Sequence, residues 1–239
     1  MSSLPDHARK YKFDHDFFKI IDTEEKAYWL GFISSDGTIF KTKEKGYLLR
    51  IELNQIDVDH LRKFKAAIKS EHNTYSRKHY DKRTGKNYNS VEFKITSVEL
   101  YADLEKLGIK TIRQFDFVPP NLLNHFIRGL IDGDGSFGFN YRNRNPYLSF
   151  VDGNYELVKK VLKVFEWVAK SGKHKILKSS KNSWVLHITG TYQVPNILGW
   201  MYRDSTVYLE RKYINYVKLL QFLKENSKKR YTLKKTVVI

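Results

Sequence analysis

Ala27-Tyr-Trp-Leu-Gly-Phe-Ile-Ser-Ser-Asp-Gly37 and His125-Phe-Ile-Arg-Gly-Leu-Ile-Asp-Gly-Asp-Gly135 are two copies of one phrase, an apolar run that closes on Asp-Gly. The two aspartates, Asp36 and Asp134, stand 98 residues apart. A repeat at that distance has the length of one small domain, so the chain reads as two related halves. Val91-Glu-Phe-Lys-Ile-Thr96 and Trp184-Val-Leu-His-Ile-Thr189 match at nearly the same offset. Both are short alternating stretches rich in β-branched and aromatic residues, which read as strands. In the Asp-Gly phrases, Gly31 with Ser35 and Gly129 with Gly133 recur four apart. That spacing puts small residues on one helix face and removes the side chains that hold two backbones apart. The two phrases are therefore expected to form helices that pack on each other as the seam between the halves. Gly37 and Gly135 are expected to stop them in the left-handed conformation.

Outward from each phrase the halves read in one order. A strand pair follows the motif helix, near 38–41 and 47–54 in the first half and near 136–142 and 147–151 in the second. A helix comes next (58–70 and 155–171), then a hairpin (74–96 and 173–189), then a closing helix (98–107 and 192–202). Gly, Asn, Asp and Ser residues mark the boundaries. The result is an α+β chain of two α-β-β-α-β-β-α halves, each with helices on one face of a sheet. Pro119-Pro120 marks the junction, giving halves at 1–118 and 119–239. The second half ends in a helix near 207–224 and a basic tail, 227–235.

Composition narrows the function. Of 239 residues, 41% are hydrophobic, enough for one large core or two small ones. Lys and Arg number 43 against 26 Asp and Glu, a formal net charge of +17. Such an excess favours polyanions, nucleic acid first and an anionic membrane surface second. No apolar run approaches the ~18 residues of a membrane span, and the N-terminus lacks an apolar signal core. A soluble, intracellular protein is expected, in cytoplasm, nucleoid or an organelle matrix, with no membrane partner. Cysteine is absent, which excludes disulfides, thiol nucleophiles and Cys-ligated zinc.

The paired aspartates are the chemical anomaly. A carboxylate at a helix C-terminus is unfavourable by up to ~1 kcal/mol, because that end already carries partial negative charge. Two parallel helices would also bring the carboxylates together. One Asp-Gly pair is ordinarily a solvated turn; two in matching motifs on a basic repeat chain point to a cation. Magnesium suits such oxygen ligands, and it completes its shell with water and phosphate.

On these residues, and on phrases such as Tyr208-Leu-Glu-Arg-Lys-Tyr213, the chain resembles the single-chain LAGLIDADG homing endonucleases, which carry two motifs. The second motif is close to the family pattern. The first departs from it, with Trp29 and Leu30 at its start and Ser34 and Ser35 where the pattern has Asp and Ala. The resemblance implies a pseudo-symmetric pair of four-stranded antiparallel sheets that read major groove. It implies a monomer on double-stranded DNA, without an obligate protein partner, cutting a long asymmetric site to short 3′ overhangs. It gives metal to Asp36 and Asp134, with backbone carbonyls near Ser35 and Gly133. Mg2+ is the implied ion, with Ca2+ or Mn2+ as substitutes. Basic residues near the phosphates are matched by Lys212 and by Arg113 or Lys110, and Gln55 and Glu52 are candidates for the water network.

Strand alternation offers Lys41, Arg50, Ser76, Lys78, Tyr80, Lys94, Asn140, Arg142, Lys178 and His187 for DNA contacts. Arg144, in the loop 143–146, and the loop 81–86 are suited to phosphate. The main alternative is a non-cleaving nucleic-acid-binding protein of the same fold, an intron maturase or repressor-like binder. An intein is disfavoured by Met1-Ser-Ser-Leu4, by Thr236-Val-Val-Ile239 and by the lack of cysteine.

Overall fold

Thr23 opens the first motif helix by accepting the Lys26 amide on its hydroxyl, with Glu24 and Glu25 in the first turn. This is a sound N-terminus by capping and by charge. Helix α1 (Glu24–Asp36) then passes without a loop into strand β1 (Gly37–Lys41). The computed structural model describes residues 11–42, 46–109, 115–140, 142, 145–170 and 174–236, with side chains through 225. After β1 come β2 (Tyr47–Asn54), α2 (Val58–Ala67), β3 (Thr74–Asp81), β4 (Lys86–Thr96) and α3 (Val98–Lys106). Pro120 then starts a 3-10 turn that runs directly into α4 (Leu123–Asp134), the second motif helix. It is followed by β5 (Gly135–Asn140), β6 (Asn145–Asp152), α5 (Tyr155–Ala169), β7 (Ile176–Ser180), β8 (Ser183–Thr189), α6 (Gln193–Tyr202) and α7 (Glu210–Thr236).

The architecture is α+β, as the repeat implied. Each sheet has four antiparallel strands in the same order, β1-β2-β4-β3 and β5-β6-β8-β7. By packing, one unit comprises Met1–Asp134 with Asp204–Leu209, and the other Gly135–Arg203 with Glu210–Ile239. In the first unit, Ile39, Leu49, Ile51, Leu53, Val91, Phe93 and Ile95 form the buried face of the sheet, below α2 and α3. In the second, Phe137, Leu148, Phe150, Leu186 and Ile188 do the same below α5 and α6.

The terminal helix differs from the expected one. It begins at Glu210 and continues to Thr236, through the stretch expected as a basic tail. Val207–Leu209, expected as its first turn, instead lies outside any helix, tied by hydrogen bonds to Glu24 of α1 and to Arg128 and Asp132 of α4. Among the described residues no helix is long and apolar enough to cross a membrane.

Candidate active site and nucleic-acid faces

The two motif helices pack side by side, running in the same direction, within the first unit. A Cβ built on Gly31 would fall 2.0 Å from the Phe126 carbonyl oxygen, and one on Gly129 would fall 2.0 Å from that of Tyr28. Only hydrogen fits there, and it faces a carbonyl in each case, a weak but recurrent attraction at close helix crossings. One turn further, a Cβ on Gly133 would lie 2.4 Å from the Ser35 Cβ and 3.4 Å from Asp36 Oδ2. The Ser35 hydroxyl donates to the Leu130 carbonyl at 2.9 Å. The small residues thus do what their spacing implied. Asp36 lies against the last turn of α4, whose final residue is Asp134.

The glycines after the aspartates are not left-handed. Gly37 has φ −86° and ψ 152°, extended backbone, while its amide still caps α1 on the Ile33 carbonyl. Glycine is required there for space, because a Cβ would meet the Ile33 oxygen at 2.5 Å. Gly135 likewise opens β5 opposite Phe150, with no positive φ. The chain turns from helix straight into strand.

Asp36 is half-buried and Asp134 exposed. Neither motif helix carries a basic residue in its last turn. Two acidic side chains therefore sit at two negative helix ends, an arrangement that a cation relieves. A helix end also directs its last carbonyls outward, those of Ser35 and Gly133 among them. This oxygen-only set fits a hard divalent ion. Among the described residues no group of three or more His, Asp or Glu side chains could chelate a metal unaided. An ion at this end would need water or phosphate to complete its shell.

Lys212, on α7, is 5% exposed and donates its Nζ to the Gly135 carbonyl at 2.7 Å. Gln55 sits in the 3-10 turn after β2 and accepts the Ser76 hydroxyl at 3.3 Å. Lys110, Arg113 and Arg144 lie outside the described residues.

A buried polar ladder across α1 and α4 escaped the sequence reading. Glu24 takes Arg128 at 2.7 Å, and one turn on Tyr28 donates to Asp132 at 2.8 Å. Arg128 and Asp132 are both fully buried. Arg128 also donates to the Val207 carbonyl, Asp132 accepts the Leu209 amide, and Glu24 accepts the Thr206 amide. His60 Nε2 lies 3.0 Å from the Tyr28 hydroxyl. That hydroxyl gives its one proton to Asp132, so His60 is the donor in the second bond. Burial alone would raise the Glu24 carboxyl. The Thr206 and Val207 donors and the Arg128 guanidinium outweigh burial and hold it below the usual carboxylate range. Glu24 and Tyr28, like Arg128 and Asp132, are four apart and so share one face of their helix, but that spacing does not name the partner across the seam.

Strand pairing decides which candidates share the open sheet faces, because directly opposed residues point the same way. In the first sheet Arg50 opposes Lys94 and Glu52 opposes Glu92, all on the face away from the helices. Tyr75 opposes Glu92, Arg77 opposes Ser90, and His79 opposes Tyr88 on that face. Ser76, Lys78 and Tyr80 therefore fall on the other face, contrary to the expected alternation. Lys41 does too: it shares the side of Ile39, with its Nζ 5.4 Å from the centre of the Tyr47 ring. In the second sheet Asn140 opposes Asn145 and His187 opposes Ser149 on the open face. Lys178 opposes Trp184 on the helix side, 5.6 Å over its ring, a second correction. Arg142 is exposed in the turn after β5, its amide on Asn140 Oδ1.

No family profile and no curated protein matches the sequence. Solved structures do. The chain is similar to the I-LtrWI LAGLIDADG homing endonuclease bound to target DNA, at 13% identity and TM-score 0.58, over 86% of this chain and 91% of that one. It is similar to I-GzeII in complex with its DNA target, at 11% identity and TM-score 0.56, over 86% and 92%. It is also similar to I-SmaMI bound to cleaved DNA, at 12% identity and TM-score 0.55, over 86% and 90%. An I-SmaMI structure with uncleaved target was obtained in the presence of calcium ions. At these identities the likeness establishes the fold.

Proposed function

We propose that this chain, which has the fold of the LAGLIDADG homing endonucleases, is a site-specific, divalent-metal-dependent endonuclease of double-stranded DNA. The observation that carries this reading is the close packing of α1 on α4, which sets Asp36 against the last turn of the helix that ends in Asp134. The net charge of +17 suits a polyanionic substrate. DNA in the matched structures supports the substrate class, and calcium in one supports a divalent ion. Magnesium is the proposed ion, with calcium or manganese as substitutes. When bound, it would supply positive charge at the scissile phosphates and a more acidic water.

The roles of the protein's own groups follow from their chemistry. Asp36 and Asp134 offer carboxylate oxygens to the cations, with the carbonyls near Ser35 and Gly133 beside them. Lys212, whose Nζ donates to the Gly135 carbonyl, carries the proposed cationic charge beside the phosphate at the second motif. Lys110 or Arg113 supplies the matching cation for the first motif, and Gln55 orders water. The ladder from Glu24 to Asp132 anchors residues 206–209 against the two motif helices. The protein acts as a monomer whose sequence repeats meet near residue 118, on a long asymmetric target cut to short 3′ overhangs.

The test is a supercoiled plasmid library of candidate sites, with and without magnesium. Linear product that requires metal and is lost in Asp36→Asn and Asp134→Asn is expected. Tight binding with no cutting under any divalent metal would instead make the chain a binding protein of the maturase or repressor kind.

A further inference from the structure

The open faces of the two sheets differ in chemistry. On the first, Glu92 is 1% exposed and is held by Lys94 at 2.6 Å and Arg77 at 3.1 Å. The two cations stay open to solvent, with side chains 33% and 44% exposed. A buried carboxylate beneath them fixes both heads in place, and a guanidinium keeps further donors after giving one to Glu92. Beside them Glu52 accepts the Ser90 hydroxyl at 2.6 Å and faces His79 Nε2 at 2.8 Å. The Ser90 bond keeps its carboxyl below the usual range, so it is an ionised acceptor near neutral pH.

On the second sheet the equivalent face is neutral. Among the described strand residues there, none is Lys, Arg, Asp or Glu. Val151 and Leu177 both oppose Val185, and Ser149 opposes His187. Asn140, Asn145, Tyr147, His187 and Thr189 line a hollow of about 240 Å³.

These sets match different base edges in the major groove. Arg and Lys pair with guanine and carboxylates accept from cytosine, whereas Asn pairs with adenine and apolar side chains meet the thymine methyl. Phosphate contact alone does not explain the first face, because the ionised, partly exposed Glu52 would repel a phosphate. We propose that the first sheet reads a half-site rich in G·C pairs and the second a half-site rich in A·T pairs. The target is thus asymmetric in base composition. This rests on the endonuclease reading for its premise that duplex DNA lies on both sheets.

The experiment is selection of bound duplexes from a randomised pool by the full chain carrying Asp36→Asn and Asp134→Asn, which leaves bound DNA uncut. A consensus with one G·C-rich and one A·T-rich half is expected. Arg77→Ala and Arg50→Gln should each relax preference about tenfold at one or two positions of the G·C half alone. Asn145→Ala should do so in the A·T half alone. A consensus of even composition, or base changes in the opposite halves, overturns the inference and leaves the endonuclease reading standing. Equal weakening on all sequences by the arginine variants makes them phosphate contacts and also overturns it. No consensus at all defeats the site-specific reading itself.

Discussion

At the residue scale, two positions carry the argument, the Asp-Gly ends and the small residues before them. Asp36 and Asp134 close two matched helices, and each is proposed to serve mainly one strand. Asp36→Asn or Asp134→Asn alone is therefore expected to favour nicked over linear plasmid, resolved on an agarose gel. Unchanged linearisation in both single variants would remove the assigned roles. Gly31→Ala tests the seam. Its methyl would be driven into the Phe126 carbonyl, a backbone atom that cannot swing aside. A loss of about 3 kcal/mol in urea unfolding is expected, at the upper end of overpacking costs. A variant as stable as the parent would mean that the helices do not approach as described.

Among the elements, the ladder between α1 and α4 has a measurable consequence. Glu24 is held below the ordinary 4.5 of a glutamate. A depressed folded value means that the ionised group stabilises the fold above the unfolded value, and that this contribution is lost as pH falls through the folded one. Glu24→Gln should therefore be less stable than the parent near neutral pH. The gap should narrow as pH drops below about 4.5, the ordinary glutamate range. Thermal melts across that window would show it, and a gap independent of pH would show that the charge of Glu24 is not what is used. Sequence reasoning passed over these residues because it took the motif helices as apolar stripes. It treated Arg128 and Asp132 as family pattern, although a buried charge with its partner one helix away is a pairing that sequence spacing alone does not reveal.

For the whole molecule, the basic charge makes salt a direct probe of the proposed DNA binding. Neutralising six or more phosphates would lower duplex affinity about a thousandfold between about 50 and about 200 mM salt. Fluorescence anisotropy on the selected site would measure the slope. A flat slope would be incompatible with a DNA-binding role for the +17 charge.

The order of elements, the duplication, the helix seam and the two acidic helix ends were all legible in the sequence. Each follows from local spacing: four for small residues on a helix, two for strands, and one long offset between repeats. The phase of the outer strands was not legible. β3 is exposed over most of its length, from Tyr75 to Lys78 on both faces. Its own pattern therefore carries no signal for which side is which, and a one-residue slip moved the choice from Arg77 and His79 to Lys78 and Tyr80. Pairing with β4, whose Val91 and Phe93 are committed to the core, sets that phase. The conformation after Asp36 was likewise decided by packing. Glycine there avoids the Ile33 carbonyl, whereas sequence reasoning expected a left-handed turn. Local periodicity determines what each segment becomes, and only contact with a distant segment decides which way an exposed side chain faces.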